Sequence, residues 1–178
     1  MRLITSVLLG GFASIACATS GLAQELPSEA NFSITYTSVN PAPSKPVSFL
    51  DRDVSVSSTI MTALNDGGSG LLHNMGGRCN FMTDVNKTAK TVEVRGFCNY
   101  ADTVGDQVFE EFMTNGPIAL GSPIVFKGKW LGGTGKFDGL TGDIEIRPTP
   151  ILATETLVQG VGKKTGTYRI TKSSPVQK

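Results

Sequence analysis

The chain has 178 residues, with 16 basic and 15 acidic side chains and a formal net charge of +1. That length fits one domain, and the near-zero charge excludes a sequence-independent nucleic-acid binder, which needs a basic footprint. One His and three Cys exclude most zinc sites and most His-based catalysis, while 39% hydrophobic residues suffice for a core. The 21 Gly and 9 Pro make up roughly a sixth of the chain, above the usual ~12%, and leave little room for long helices.

Residues 1–23 read as a secretory signal: Met1-Arg2 is a short positive start, Leu3 to Ile15 is mostly apolar, and Gly21-Leu22-Ala23 supplies the small residues that precede cleavage. Cleavage is expected between Ala23 and Gln24, placing the protein in a bacterial periplasm or outside the cell. The alternative is a lipoprotein box over Ser14-Ile15-Ala16-Cys17, with Cys17 lipidated; Ser14 stands where a bulky aliphatic is usual. No other stretch approaches ~18 apolar residues in a row, so no membrane span is expected in the mature chain. Cleavage removes Arg2 and Cys17 and leaves equal numbers of acidic and basic residues and two cysteines, Cys79 and Cys98.

The remainder reads as one β domain, with residues 24–47 an N-terminal segment carrying the first strand and residues 48–178 the rest of the same unit. Asn31 to Val39 alternates Phe32, Ile34 and Tyr36 against Ser33, Thr35 and Thr37, and Pro41, Pro43 and Pro46 then interrupt it. Asp53 to Leu64 reads as a second strand, followed by the turn Asn65 to Gly70. Further strands are expected near Arg78 to Val85, Val92 to Tyr100, Gln107 to Met113, Ser122 to Trp130, Gly142 to Arg147 and Gly166 to Thr171. Ile151 to Val161 is the nearest approach to a helix and reads equally as a ninth strand. Eight short strands at this spacing predict an all-β fold, an antiparallel eight-stranded barrel or, alternatively, a β-sandwich.

One register follows from the residues. Setting Cys79 opposite Cys98 pairs Phe81 with Gly96, Thr83 with Val94 and Val85 with Val92, and leaves the polar loop Asn86 to Thr91 at the tip. Phe81, Val85, Val92 and Val94 then share the cysteines' face, and Asn80, Asp84, Glu93, Arg95 and Asn99 the other, as a sheet buried on one side demands. A cross-strand Cys79–Cys98 disulfide on the core side is the expectation, serving as a staple; there is no Cys-x-x-Cys pair to suggest redox catalysis.

Lys127 to Ile146, KGKWLGGTGKFDGLTGDIEI, is the most distinctive stretch. It is not a P-loop: Trp130 stands where the first glycine belongs, and Phe137 follows Lys136. Its physical reading is a corner. Ile124, Phe126 and Trp130 point inward with Lys127 and Lys129 outward, Gly132, Gly133 and Gly135 allow a tight bend, and Phe137 and Leu140 return to the core. This segment resembles the GGTGKF-x-G-x-x-G stretch of the allene oxide cyclase barrel-like proteins, which include the plant dirigent proteins, and Gly96 to Asp106 is similar to a segment of their secreted bacterial relatives. The resemblance implies an eight-stranded antiparallel barrel with a central cavity, often oligomeric, so a homo-oligomer is among the expected partners. It supports the fold better than the activity, and none of the family's pocket residues is carried over.

Candidate site residues are few. Asp102 and Asp106 flank Gly105 at a spacing used by hard-cation loops, but the EF-hand pattern fails and both read as turn residues; no metal and no cofactor is expected. Glu110-Glu111 in QVFEEFM puts one carboxyl on an apolar face, where burial would raise its pKa and suit it to acid–base work. The competing reading is a bulge that turns both outward, or a Glu at the barrel mouth. Tyr36, Tyr100, Phe126 and Trp130 are candidate cavity-wall residues for a small apolar ligand, or simply core. His73 has no second His and reads as a loop or strand-edge residue, and no G-x-S-x-G elbow is present. The functional expectation is an exported barrel that binds a small apolar molecule or has a structural role in the envelope. A cofactor-free cyclase or isomerase acting by orientation of its substrate is the alternative. The outer faces look polar and mixed in charge, which weighs against a large interaction patch.

Overall fold

The computed structural model describes residues 26–171. The signal segment, the Ala23–Gln24 cleavage position and Cys17 lie outside the described residues. Strands β1 (Glu29–Asn40), β2 (Val47–Phe49), β3 (Arg52–Asn65), β4 (Met75–Asn86) and β5 (Thr91–Ala101) are followed by β6 (Gln107–Thr114), β7 (Ile118–Ala119), β8 (Phe126–Gly133), β9 (Leu140–Ala153) and β10 (Val158–Ile170). A 3-10 turn, Gly135–Phe137, joins β8 to β9. Eight strands pair in the order β1-β10-β9-β8-β6-β5-β4-β3, and β3 pairs back onto β1, closing an antiparallel barrel. The short β2 and β7 lie outside it, on β3 and β5. No helix among the described residues is long and apolar enough to cross a membrane.

The predicted strands all fall on barrel strands, but their bounds differ. β4 starts at Met75, three residues before the expected Arg78, and β8 at Phe126 rather than near Ser122. The 151–161 stretch is neither a helix nor a separate ninth strand; it is the hairpin at which β9 hands over to β10. Pro148 and Pro150 obscured this. They are tolerated because β8 pairs with β9 only as far as Ile146, so the edge they would otherwise hydrogen-bond is free of a ladder partner.

The interior is built of aromatic rings laid over glycines of the next strand. Tyr36 stands opposite Gly162 and Phe32 opposite Gly166 across β1–β10, and Phe81 stands opposite Gly96 across β4–β5. A Cβ on Gly162 would meet the Tyr36 hydroxyl at 2.4 Å, and one on Gly96 would meet Phe81 and Phe112 atoms at 2.6 Å. The glycines therefore make room for rings, as aromatic–glycine pairs do in curved sheets. The corner behaves as the sequence suggested: Gly135 has φ +55° and its missing Cβ leaves space occupied by the Asp106 carboxylate. Phe137 and Leu140 are buried beyond it.

The cysteine register is the observed one. Cys79 lies opposite Cys98, Phe81 opposite Gly96, Thr83 opposite Val94 and Val85 opposite Val92, and the two cysteines form a disulfide. The outside is less polar than the sequence suggested, because Met82 and Phe97 are exposed on this hairpin's outer face beside Arg95 and Asn80.

Barrel closure carries its own polar clip. Asp66, just after β3, accepts hydrogen bonds from Ser33 and from Thr35 (2.6 Å) on β1 and from Lys163 (2.9 Å) on β10. These donors hold its carboxyl well below the usual carboxylate range. A depressed carboxylate contributes stability above its unfolded pKa and loses it as pH falls. Asp66 is partly exposed, so the screened contribution is about 1 kcal/mol. Asp66→Asn is expected to lower stability by that amount in urea unfolding at pH 7, with the difference from the parent shrinking below about pH 4.

Candidate functional site

The two ends of the barrel differ. At one end the β3–β4 connection folds Leu71 and Leu72 inward, and the 3-10 turn adds Phe137; all three are buried. They plug this end together with Trp130, Tyr168 and Phe32, whose rings pack within 6.4 Å of one another through Phe32. The other end is open. It leads into a cavity of about 350 Å³ walled by Met61, Phe81, Val94, Phe112, Phe126 and Ile146 among others. Polar wall residues such as Ser38, Thr83 and Gln159 come from strand segments toward the mouth.

At the floor lies a buried ion pair. Lys164 of β10 and Glu110 of β6 are 1% and 0% exposed. The Lys164 Nζ donates to both Glu110 oxygens, at 2.5 Å to Oε1, and to the Tyr100 hydroxyl at 2.8 Å. It also sits 5.0 Å from the Tyr100 ring centroid and 5.5 Å from that of Tyr36, so two aromatic faces share its charge. The disulfide lies beside this group: Cys98 Sγ is 3.8 Å from Glu110 Oε1, and Cys79 Sγ is 3.8 Å from the Tyr100 hydroxyl. Burial raises the Glu110 carboxyl, against the pull of Lys164. Burial likewise lowers the Lys164 amine, against the pull of Glu110. Desolvation also pushes the Tyr100 and Tyr36 hydroxyls up, so both are neutral hydroxyls at ordinary pH. Burial thus works against the charged form of each partner, while their contact with one another favours it.

The reading in which both glutamates turn outward does not hold. The β5–β6 register is unbroken, so Val108, Glu110 and Phe112 point inward and are buried, while Glu111, on the outer face, is covered as well and is 8% exposed. The irregularity is absorbed by its neighbour: Phe109 pairs with Gly132 and Glu110 with Trp130, so Leu131 of β8 is the extra residue. Glu111 faces out, flanked by Arg95 at 3.0 Å and Lys129 at 3.7 Å, away from the cavity. Of the candidate wall residues, Tyr36 and Phe126 line the cavity. Tyr100 lies under the floor, hydrogen-bonded to Lys164, and Trp130 belongs to the plugged end against Phe32.

Lys164 was missed in the sequence. Counting back by twos from the apolar Ile170 and Tyr168 reaches Gly166, Lys164 and Gly162 on one face, and that alternation was the available signal. Asp102 and Asp106 are engaged in turn geometry: Asp102 accepts the backbone N–H of Val104 and Asp106 and the Lys136 ammonium, and Asp106 accepts the Lys136 N–H. They clamp the β5–β6 turn to the glycine corner. His73 lies in the turn that follows Leu72, outside the cavity, its backbone N–H donated to the Gly70 carbonyl. Comparison with known proteins returns no match, whether to family models, to curated proteins or to solved structures.

Proposed function

We propose that this is an exported β-barrel protein that binds one small, largely apolar molecule in its cavity. The observation that carries this reading is the open, apolar-walled space of about 350 Å³ at one end of a barrel whose other end is plugged. That volume lies at the lower end of the range for small-molecule pockets, and a few polar groups among apolar walls are their usual composition. Export is supported by the signal-like residues 1–23 and by the disulfide, which persists in oxidising compartments. The rim adds to the case: Leu50, on the β2–β3 turn, and Ile151, on the β9–β10 hairpin, are exposed at the open end.

The test is titration with N-phenyl-1-naphthylamine, an uncharged fluorophore. Saturable one-to-one binding is expected, weakened at least about tenfold (1.4 kcal/mol) by Val94→Phe, which fills the cavity wall. A fluorescence response that fails to saturate, or that ignores Val94→Phe, removes the binding reading and leaves a structural role.

A second reading, a cofactor-free cyclase or isomerase in keeping with the resemblance to allene oxide cyclase barrel-like proteins, is favoured by one feature. The cavity floor holds a carboxylate and an ammonium in contact, placed to act as base and acid on a substrate held above them. Turnover abolished by Glu110→Gln but not by Glu111→Gln would separate it from simple binding.

A further inference from the structure

We propose that Lys164 is a carbonyl-capturing residue, and that the cavity takes an apolar aldehyde and holds it as an imine on the Lys164 Nζ. This rests on the reading of the cavity as an apolar-ligand site and names the chemical class of the ligand.

Lys164 differs from every other described lysine. Lys45, Lys87, Lys90, Lys127, Lys129, Lys136 and Lys163 are exposed, whereas Lys164 is enclosed at the cavity floor. A chain entering from the mouth meets apolar walls, so its polar terminus is driven to the one strongly polar place available, the Lys164–Glu110 pair. An amine in an apolar pocket is the kind that forms imines, because burial disfavours its charged, non-nucleophilic form. Burial acts on Lys164 in that direction.

The step balances within the site. Glu110 takes a proton from the Lys164 ammonium, and the amine nitrogen adds to the aldehyde carbon, forming the C–N bond while the carbonyl oxygen takes up a proton. The resulting carbinolamine loses its oxygen as water as the C=N bond forms, with Glu110 relaying protons throughout. The product is a protonated imine and one water, with the Glu110 carboxylate again ionised. One positive and one negative charge are buried before and after, so capture leaves the pair's mutual compensation in place. Tyr100, under the floor and 2.8 Å from Nζ, accepts from the ammonium and holds the Lys164 nitrogen from the side away from the cavity. A lone structural role explains this placement less well, since a buried ion pair is weak as a stabilising device and needs no cavity above it.

The experiment uses the disulfide-intact exported protein, one equivalent of octanal and sodium cyanoborohydride, followed by intact mass and peptide mapping. The expected result is a single octyl adduct on the peptide containing Lys164, with the exposed lysines unmodified. It is lost in Lys164→Arg and slowed at least tenfold in Glu110→Gln. Because Lys164→Arg could fail to fold, the parent protein preloaded with N-phenyl-1-naphthylamine provides a second arm, in which the probe is expected to block the adduct. Label spread over exposed lysines overturns the proposal, as does an adduct indifferent to the probe. Absence of an adduct in protein that still binds the probe overturns imine capture but leaves the binding reading standing. Absence of both overturns the two together.

Discussion

Replacing Lys164 with Met alone is expected to destabilise the protein by about 3–5 kcal/mol, whereas the double variant Glu110→Leu/Lys164→Met recovers most of that loss. The asymmetry is physical. With both partners present, two desolvated charges compensate one another at the cavity floor; with one removed, the survivor is buried with no opposite charge beside it. With both replaced by apolar side chains of similar volume, no desolvation remains to be offset. Urea unfolding of the parent, the two singles and the double gives the coupling directly.

Single variants that remove either charge, Lys164→Met and Glu110→Gln, carry opposite pH dependences. In Lys164→Met, Glu110 stands alone with a pKa raised by burial. A raised carboxyl contributes its stability below the unfolded pKa, about 4.3, and loses it as pH rises through the folded value. This variant is therefore expected to be relatively better at pH 5 than at pH 9. In Glu110→Gln, Lys164 stands alone with a pKa lowered by burial. A lowered amine contributes its stability above the unfolded pKa, about 10.4, and loses it as pH falls through the folded value, so this variant is relatively better at pH 9. Parallel slopes for the two variants would show that burial does not govern the pair.

Removing the disulfide as Cys79→Ala/Cys98→Ala is expected to cost about 3 kcal/mol, the chain-entropy value for a loop of this size; the sequence separation is 19. For a domain of this length that corresponds to a Tm lower by about 6–12 °C. Dithiothreitol should shift the parent to the same Tm and leave the double variant unmoved, which separates loss of the cross-link from loss of the sulfur atoms' packing. Both cysteines line the cavity, and Cys98 Sγ lies 3.8 Å from Glu110. A parent Tm that is the same with and without reductant would mean that the neighbouring strands already hold this hairpin.

Much of the barrel is legible in the chain because period two is a local property. The alternation of Phe32, Ile34 and Tyr36 assigns a face before any partner is known, and the observed burial follows it. The Cys79–Cys98 register was readable for the same reason: β4 and β5 are joined by a short polar turn, so a single opposed pair determines every other. The segment where reading failed, residues 147–163, is rich in Pro and Gly. There the strand depends on pairing of β9 with β10 and on the unpaired edge left by the start of β8 at Phe126, not on local propensity.

The candidate site was half visible. Glu110 was marked by its place among apolar residues, yet its orientation depended on which strand takes up the extra residue, and that strand is β8, at Leu131. Its partner was out of reach. Lys164 is 54 residues away on β10, with β9 and β8 between it and β6 in the sheet order, and the two meet only because their inward side chains cross the lumen of a closed barrel. By itself, the sequence determined the strand class, the cysteine register, the glycine corner and the inward face of most strands, since each depends on neighbours in the chain or across one short turn. The tertiary structure alone decided which end is plugged, where the cavity lies and which buried charges face one another, because closure of β1 onto β3 and β10 sets the height at which side chains from distant strands meet.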